Sequence, residues 1–380
     1  MSRRILFLAP QPFFEVRGTP LAVLAMVRAL LGLGHRVELL TYAQGEPVEI
    51  PGLVHRRSLP LPVGRVRAGA SLAKLLLDVP FLIQAVWLLF TRRYDVVHAV
   101  EEAAHLIAPF ARLRGVPLVV DVDSSIPEQL RDSGFATRGP LLWSALALER
   151  HALRHAAAVV TVCPSLTSGV KRQAPSARVF QIEDPPLVEG STPDSDRVAA
   201  LRAALGLASE PVVLYTGNFE PYQGVPLLVE ASTSVPAAQF LFVGGEPAEI
   251  EALKGKGGRC FFAGKRPPSE LPLFLALADV VASPRSRGTN TPFKVYTYLA
   301  SGKPLVATRI ETHTQLLDDG MAFLVEPTAA GLAKGVRQAL AEPAEARARA
   351  DRGRALLERE YSTACHAAKV AAAYASLDPR

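Results

Sequence analysis

The stretch 285–304 combines arginines and an early lysine with the start of a predicted helix. Arg285 and Arg287 precede Gly288, and Lys294 falls in the first turn of that helix. A lysine in a first helical turn opposes the helix dipole, so by itself it is mildly unfavourable. The same lysine becomes favourable where an anion binds the helix N-terminus, because the free backbone N–H groups there already attract negative charge. The stretch therefore predicts a phosphate-binding pocket.

The sequence marks both ends of this helix and repeats the arrangement near the beginning of the chain. Thr291 is a predicted N-cap, Pro292 suits the first helical position, and Gly302 is expected to end the helix. The loop after the first predicted strand has the same order, with Arg17 and Gly18 before a Thr-Pro pair. Each half of the chain thus offers one arginine-flanked helix N-terminus. Two of these could hold a diphosphate from both sides of a cleft.

Short β-branched runs alternate with helical stretches along the whole chain. In the first half such runs lie at 5–9, 36–41, 95–100, 117–122 and 158–162. In the second half they lie at 212–216, 239–243, 260–262, 279–282, 304–308 and 322–325. This alternation predicts an α/β protein with two doubly wound parallel sheets and a cleft outside the carboxyl ends of their strands.

The length of 380 residues favours two domains, and the pattern between 182 and 193 breaks into a proline-rich linker. We expect Rossmann-like domains at 1–186 and 187–360. A C-terminal helix at 361–380 is expected to pack back on the first of them.

Charge and cysteine content limit the partners and the compartment. Residues 1–186 carry 21 Lys and Arg against 15 Asp and Glu, whereas residues 187–380 carry 21 of each, so the whole excess of +6 lies in the first half. That imbalance favours an anionic partner, or it serves solubility alone. The basic excess has no aromatic interleaving, which argues against nucleic-acid binding. Three widely spaced cysteines fit a reducing cytosol, and the chain starts directly with a predicted strand instead of a leader peptide.

The most apolar stretch is a predicted helix at 75–90, interrupted by Asp78, Pro80 and Gln84. Basic residues flank it on both sides, namely Arg65, Arg67, Lys74, Arg92 and Arg93. A basic-flanked helix with a tryptophan and several Phe and Leu can lie in a membrane interface. The alternative is a domain helix with a wide core face.

Several motifs in a shared order resemble those of the family 4 retaining glycosyltransferases, which have the two-domain GT-B fold. Residues 95–99 resemble the family's D-V-V-H-A, 263–271 its G-x-x-x-x-x-E-L, and 298–307 its E-A-M-A-x-G-x-P-V-V-A. Residues 215–224 lie where the family has G-R-x-x-x-x-K-G. The first strand and its glycine loop match as well, so the resemblance covers nearly the whole chain.

This resemblance implies a hexosyltransferase-type enzyme whose C-terminal domain holds a nucleotide-sugar and whose N-terminal domain binds the acceptor, with no metal needed. Together with the two glycine loops, it implies these donor-binding residues: Arg17, Gly18, Asn218, Gln223, Lys265, Arg287, Gly288, Thr289, Asn290, Thr291, Lys294 and Thr297.

The chain departs from the family pattern at four charged positions. The family's acidic pair falls on Asn290 and Thr297, and a threonine can hydrogen-bond to ribose hydroxyls without the charge. The family's Arg/Lys pair falls on Asn218 and Gln223. Compared with the family pattern, this chain thus lacks two negative and two positive charges. A different donor, or no catalysis at all, stays open. The available replacement cations are Arg285, Arg287, Lys294 and Lys265.

Asp123 and His98 are the candidates for catalysis. Asp123 occupies a place where the family often has a histidine, and it could orient an acceptor hydroxyl or accept its proton, or else cap the following turn. Asp121 and Asp123 also form a D-x-D pair, but the two-sheet organisation belongs to the metal-independent fold. His98, at the end of a buried strand, either contacts the acceptor or is a core histidine. His313, beside a later strand end, could touch the donor.

The sequence thus predicts transfer of a sugar, with retention, from a nucleotide-sugar to a lipid-linked or polysaccharide acceptor of the cell envelope. We expect a cytoplasmic protein, peripheral on the inner face of the cell membrane, that needs no cofactor or metal. Two alternatives stay open. A sugar-nucleotide epimerase on the same fold would need several acid/base residues, and a non-catalytic protein would bind another transferase or a glycan.

Overall fold

The computed structural model describes residues 2–15, 18–63, 72–124, 139–190 and 193–377. The chain divides into two compact units, the first made of Met1–Glu183 with His366–Arg380 and the second of Asp184–Cys365. Each unit is built on one parallel sheet, so the expected architecture of two Rossmann-like sheets is confirmed.

The first half of the chain alternates strands and helices. The strands are β1 Arg4–Leu8, β2 Arg36–Thr41, β3 Leu53–Arg57, β4 Val96–Val100, β5 Leu118–Val122, β6 Ala158–Thr161 and β7 Val179–Gln181. The α-helices among the described residues are α1 Gly18–Gly32, α2 Leu72–Thr91, α3 Glu102–Arg114, α4 Pro140–His155 and α5 Pro164–Gln173.

The second half repeats the alternation and ends in three helices. Its strands are β8 Val212–Thr216, β9 Gln239–Val243, β10 Cys260–Gly264, β11 Val280–Ser283, β12 Leu305–Thr308 and β13 Phe323–Val325. Its α-helices are α6 Ser195–Ala204, α7 Val225–Ser232, α8 Pro247–Leu253, α9 Leu271–Leu277, α10 Phe293–Ala300, α11 Glu311–Thr314, α12 Ala329–Ala341, α13 Pro343–Glu360 and α14 Thr363–Ala375.

The sheet of the first unit has the order β3-β2-β1-β4-β5-β6-β7 and is buried on both faces. Leu6 and Leu8 pack into a cluster with residues of α2, α3, α4 and α5. Ile5 and Phe7 point the other way and pack with residues of α1 and α14. Successive side chains of a strand point to opposite faces, so a strand covered on both sides must be apolar throughout. This explains why the central strands form continuous apolar runs in the amino-acid sequence.

The sheet of the second unit has the order β10-β9-β8-β11-β12-β13. Leu214 of β8 packs on the side of α9 and α10, whereas Val213 and Tyr215 pack on the side of α7 and α12. The chain continues from β8 to one edge of the sheet and from β11 to the other, so the strand order reverses between these two neighbours. Ligands of doubly wound sheets bind outside the carboxyl ends of the strands at such a reversal.

Two strands, β3 and β7, were not expected from the sequence. Both lie at an edge of the first sheet, and their residues are largely half-buried or exposed. An edge strand covered on one side only does not need a continuous apolar run. The short sequences Leu-Val-His-Arg-Arg and Val-Phe-Gln therefore lack the signal that identified the central strands.

Helix α2 is apolar on almost its entire circumference. Its segment Ala73–Thr91 has a mean hydropathy of 1.8, is long enough to cross a membrane, and has 28% of its apolar window buried. One face packs on the sheet, and the opposite face exposes six large side chains: Leu75, Leu76, Val79, Ile83, Trp87 and Phe90. The polar Asp78 instead points inward, where it accepts a hydrogen bond of 2.5 Å from the hydroxyl of Tyr42. Exposed apolar patches of this kind are typical of surfaces that bind a protein or a membrane.

A buried carboxylate joins three strands at the amino-terminal edge of the first sheet. Glu38 of β2 is 3% exposed and is surrounded by Arg4 of β1, Arg56 of β3 and Arg92. Arg4 Nη2 lies 3.3 Å from Glu38 Oε2, and Arg92 Nη1 lies 3.1 Å from Oε1. Burial alone would raise the pKa of Glu38, but the hydrogen bonds, first of all that from Arg56, lower it overall.

We expect Glu38→Gln to destabilise the protein by about 3 kcal/mol at neutral pH, because the three arginines lose their shared charge partner. A depressed carboxyl pKa adds stability above the unfolded-state pKa, and this stability is lost as the pH falls through the lower folded-state pKa. The variant should therefore lose less stability than the wild type between about pH 5 and pH 3. Urea unfolding at several pH values measures both effects. Glu210→Gln, which removes the exposed partner of Arg259, should change little and serves as the control.

Candidate functional site

In the second unit the loops after β8 and β11 are packed backbone against backbone. Gly224, which follows the first of these loops, has φ +70°, and a Cβ there would lie 1.9 Å from the carbonyl oxygen of Pro284. Gly217, directly after β8, has φ +136°, and a Cβ there would lie 2.8 Å from Lys294 Nζ. Both positions therefore require glycine. Their glycines let the start of α10 approach the reversal point of the sheet.

Lys294 lies in the first turn of α10, with its ammonium group held by neutral partners. Its Nζ donates a hydrogen bond of 3.0 Å to Gln223 Oε1 and lies 3.9 Å from the centre of the Tyr215 ring. Burial lowers the pKa of Lys294 well below its usual range, and the positive charge of Arg285 lowers it further. The site thus holds a cation that burial disfavours and that no carboxylate contacts among the described residues.

Arg285 organises the loop between β11 and α10. The side chain is 7% exposed, and its Nε donates to the carbonyl oxygen of Arg287 at 3.0 Å. Its Nη1 and Nη2 donate to the backbone and side-chain oxygens of Asn290 at 3.1 and 2.9 Å. A Cβ at Gly288, with φ +123°, would lie 2.7 Å from Arg285 Nη2. The guanidinium group therefore fixes the loop shape and adds positive charge behind Lys294.

The start of α10 differs from the expectation, whereas its end agrees with it. The helix begins at Phe293, so Pro292 is the N-cap and Thr291 lies outside the helix. Thr291 is 4% exposed, and its hydroxyl has no hydrogen-bond partner within the described part of the chain. Pro292 has the extended backbone of an N-cap but makes no side-chain capping hydrogen bond. Gly302 has φ +64° and its N–H donates to the carbonyl oxygen of Leu299 at 3.1 Å, which closes the helix as predicted.

Thr297 does not line the pocket, which corrects the proposed ribose contact. It is 1% exposed, and its Oγ1 accepts a hydrogen bond of 3.0 Å from the backbone N–H of Leu187. The threonine thus anchors the segment that enters the second unit. Asn218 is half-buried after β8, and its Oδ1 accepts from the N–H of Glu220 at 3.3 Å.

The remaining donor candidates lie on the same side of the sheet but are more exposed. Lys265 Nζ lies 2.5 Å from Glu246 Oε1, and its side chain is 62% exposed. Arg287 is exposed, and the carbonyl oxygen of Thr289 accepts from Gln315 Nε2 at 2.9 Å. Arg287 and Lys265 are thus exposed to solvent, whereas Arg285 is buried and Lys294 is half-buried.

His313 has a structural role instead of the donor contact that its position suggested. It is fully buried, with Nε2 2.8 Å from Ser283 Oγ and Nδ1 2.7 Å from the carbonyl oxygen of Thr308. Burial lowers the pKa of His313 to about 3, so the ring is neutral at physiological pH. It connects the ends of β11 and β12.

In the first unit the two catalytic candidates have different surroundings. His98 is 0% exposed, stacks on Phe7 at 4.3 Å, and contacts Tyr374 and Asp121, which corrects the expectation that it touches the acceptor. Asp123 follows β5 directly and is 7% exposed. Gly18 begins α1, and Arg17 lies outside the described residues.

Sequence reasoning missed a charged cluster at the carboxyl edge of the first sheet. Lys74 Nζ lies 2.6 Å from Glu102 Oε1 and 3.6 Å from Oε2 of Glu101, the N-cap residue of α3. Burial raises the pKa of Glu102 to about 8, although Lys74 opposes the shift. Ser124 donates to Glu101 Oε1 at 2.5 Å. No local sequence pattern indicates that Lys74 contacts two glutamates that lie almost thirty positions later in the chain.

We expect Gly224→Ala to destabilise the second unit strongly, because the new methyl group would overlap the carbonyl oxygen of Pro284 and the loops must separate. Gly206→Ala is the matched control. Gly206 has φ +67° and nothing within 4 Å of its Cβ position, so it reports the left-handed backbone alone, about 1 kcal/mol. Chemical unfolding should show a loss at Gly224 that exceeds the control by about 2 kcal/mol or more. Equal losses of unfolding free energy in the two variants would mean that the close approach of the loops does not contribute to the cost of Gly224→Ala.

Two family models match this chain, one for each half. Residues 17–185 match the glycosyl transferase 4-like domain, and residues 210–342 match the glycosyl transferases group 1. The curated alpha-D-kanosaminyltransferase of Streptomyces kanamyceticus is 30% identical over 234 residues, which are 57% of this chain and 59% of that protein. The chain thus spans about three fifths of the length of the first curated relatives that it matches.

Solved structures with the same fold cover the chain almost completely. Sucrose-phosphate synthase of Thermosynechococcus elongatus has a TM-score of 0.80 at 21% identity and covers 99% of both chains. HepE of Anabaena, solved in complex with UDP-glucose, has a TM-score of 0.76 at 19% identity and covers 99% of this chain and 100% of its own. At such identities the likeness establishes the fold, while the two matched family models together span most of the sequence. The chain therefore belongs to the glycosyl transferases group 1, with a glycosyl transferase 4-like N-terminal half and the GT-B fold.

Proposed function

We propose that this protein transfers a sugar from a nucleotide-sugar, held by the second unit, to a lipid-linked or polysaccharide acceptor handled by the first. The observation that carries the proposal is the ammonium group of Lys294, held at a helix N-terminus by the neutral Gln223 and Tyr215. A partly desolvated cation without a carboxylate partner is stabilised when an anion binds next to it.

A diphosphate has the charge and size to be that anion. It would accept hydrogen bonds from Lys294 and from backbone N–H groups in the first turn of α10. Arg285 and Arg287 add positive charge on the same side. The HepE structure contains UDP-glucose on the same fold, which supports the same class of donor here.

We assign this site the stabilisation of the leaving group, the nucleoside diphosphate. Charge develops on the diphosphate as the bond to the sugar breaks, and fixed cations lower the barrier by stabilising that charge. No metal is required for this, because Lys294 and the arginines supply the positive charge. Retention of the anomeric configuration is proposed from family membership. Asp123, at the end of β5, is proposed to orient the acceptor hydroxyl.

The acceptor is proposed to lie at the cytoplasmic face of a membrane. Helix α2 exposes a row of apolar side chains that includes Trp87 and Phe90, and Arg92 and Arg93 follow directly. Helix α3 packs against both α2 and α4, and α4 adds Trp143, which is 74% exposed. Aromatic and apolar side chains beside arginines fit the boundary between acyl chains and anionic headgroups.

Lys294→Ala should weaken nucleotide-sugar binding by about 1.5–3 kcal/mol, or roughly 10- to 150-fold, the scale of a charge-assisted hydrogen bond. Without ligand the variant should be as stable as the wild type or slightly more stable. A lysine with a lowered folded-state pKa destabilises the protein while it is charged, so the wild type gains stability as the pH rises toward the unfolded pKa of about 10.4. The variant should lack this gain.

Calorimetric titration with UDP-glucose, GDP-mannose and ADP-glucose, together with melting curves between neutral and alkaline pH, provides the measurement. Lys254→Ala removes an exposed lysine of the second unit that pairs with Glu251, and it should leave both quantities unchanged. A less stable Lys294→Ala protein with unaltered nucleotide affinity would assign the lysine a purely structural role. If the wild type binds none of the nucleotide-sugars, the transferase proposal fails and a non-catalytic binding role replaces it.

We expect the protein to bind vesicles of phosphatidylglycerol and phosphatidylcholine at low salt, and to release them as salt screens the arginines. Replacing both Trp87 and Phe90 by Ser should weaken binding, because each loses apolar area that would enter the interface. Co-sedimentation measures the bound fraction. Leu33→Ser is the control, since Leu33 is also exposed but follows α1 on the opposite face of the sheet. A wild type that ignores anionic vesicles at low salt contradicts the membrane proposal.

A further inference from the structure

A buried hydrogen-bonded chain connects the C-terminal helix to two central strands of the first unit. The hydroxyl of Tyr374, on α14, lies 2.8 Å from His98 Nδ1, and His98 Nε2 lies 3.0 Å from Asp121 Oδ2. The three side chains are 3%, 0% and 6% exposed. The His98 ring is stacked on Phe7 at 4.3 Å, so it cannot rotate out of this arrangement without disrupting the core.

The chemistry of the three groups determines where the protons lie. Burial, and then the charge of Asp121, raise the pKa of Tyr374 well above its usual range, so the phenol keeps its proton. In a neutral His98 ring, a hydrogen bond donated by this phenol to Nδ1 places the ring proton on Nε2. That proton is donated to Asp121. A hydrogen bond to one ring nitrogen thereby fixes the tautomer at the other.

Asp121 depends on this histidine for its orientation. Within the described residues its Oδ1 has no hydrogen-bond partner, so the bond from His98 is the one that holds the carboxylate. Asp121 pairs in register with Val100, two residues after His98, and the contact therefore crosses diagonally between β4 and β5. A buried carboxylate with a single donor turns if that donor is lost.

The same two strand ends carry the polar groups at the carboxyl edge. The carbonyl oxygen of Asp121 accepts from the N–H of Glu101 at 2.9 Å, and Glu101 has an unusual φ of +49°. Ser124 donates to the Glu101 carboxylate at 2.5 Å, and Asp123 lies between Asp121 and Ser124. The position of these groups relative to one another is set by how the ends of β4 and β5 are joined.

We propose that His98 and Tyr374 are positioning residues for the acceptor side of the reaction, through which the C-terminal helix fixes the carboxylate-bearing ends of β4 and β5. The proposal rests on the function proposed above, because it assigns the acceptor hydroxyl to Asp123 at that edge. At metal sites, outer groups that orient ligating imidazoles and carboxylates typically contribute about 10- to 100-fold, and we expect an effect of the same order here.

Tyr374→Phe is the direct test, since it removes the hydroxyl and keeps the ring. With water as the acceptor of the sugar, we expect hydrolysis of the best-bound of UDP-glucose, GDP-mannose and ADP-glucose, measured as free nucleotide, to slow by about tenfold or more, with donor affinity unchanged. Lys369→Met is the matched control. Lys369 joins the same helix to Glu183 but does not contact His98, so its loss should lower the melting temperature without slowing the reaction. Equal kinetic effects of the two changes would mean that only the docking of the helix matters.

Nitrogen-15 NMR of the histidine rings gives a readout that is independent of activity. We expect neutral His98 in the wild type with its proton on Nε2, and a changed tautomer population in Tyr374→Phe. A proton on Nδ1 in the wild type, or an unchanged spectrum in the variant, overturns the positioning role even if the transferase is active. A protein with the expected tautomer that binds no nucleotide-sugar instead overturns the proposed function, and the network then has a structural role only.

Discussion

A partly desolvated ammonium group is the constraint around which the second unit is arranged. Lys294 lies where two loops meet the start of a helix, and its contacts are the amide oxygen of Gln223 and the face of the Tyr215 ring. Both partners stabilise a cation without cancelling its charge. Glycine at 217 and 224 is the steric condition for this arrangement, because any side chain would push the lysine or the loops away. The result is a fixed positive site, next to which the proposed diphosphate would bind.

This arrangement gives a physical account of the exchanged charges. The family pattern places a lysine where this chain has Gln223, yet Lys294 Nζ lies 3.0 Å from that side chain, so a second lysine there would repel it. An acid in place of Asn290 would neutralise Arg285, whereas the asparagine keeps the same hydrogen bond and leaves the positive charge intact. Gln223 and Asn290 are therefore compatible with a net positive charge around Lys294 and Arg285. Thr297 has a different role, because its hydroxyl oxygen accepts a hydrogen bond from the backbone N–H of Leu187.

The first unit separates its polar and apolar groups in an unusual way. Helix α2 buries Asp78 against Tyr42 and keeps Lys74 with the acids of α3, while its opposite face exposes Trp87 and other large apolar side chains. An ordinary surface helix instead buries its apolar side chains and exposes its charged ones. The charged groups are used inside, at the carboxyl edge of the sheet, and the apolar face is left for a surface outside. The two features are those on which the proposal of a membrane-held acceptor rests.

The sequence by itself determined the two parallel sheets and the place of Lys294, because these depend on local features. A strand buried on both faces is a short apolar run, and a lysine's position in a helical turn is counted from a nearby proline and glycine. Only the tertiary structure decided what the polar side chains contact. Thr297 accepts from an amide 110 positions earlier, and His98 contacts a tyrosine 276 positions later. Such pairings depend on which elements the fold brings together, and no local pattern encodes them.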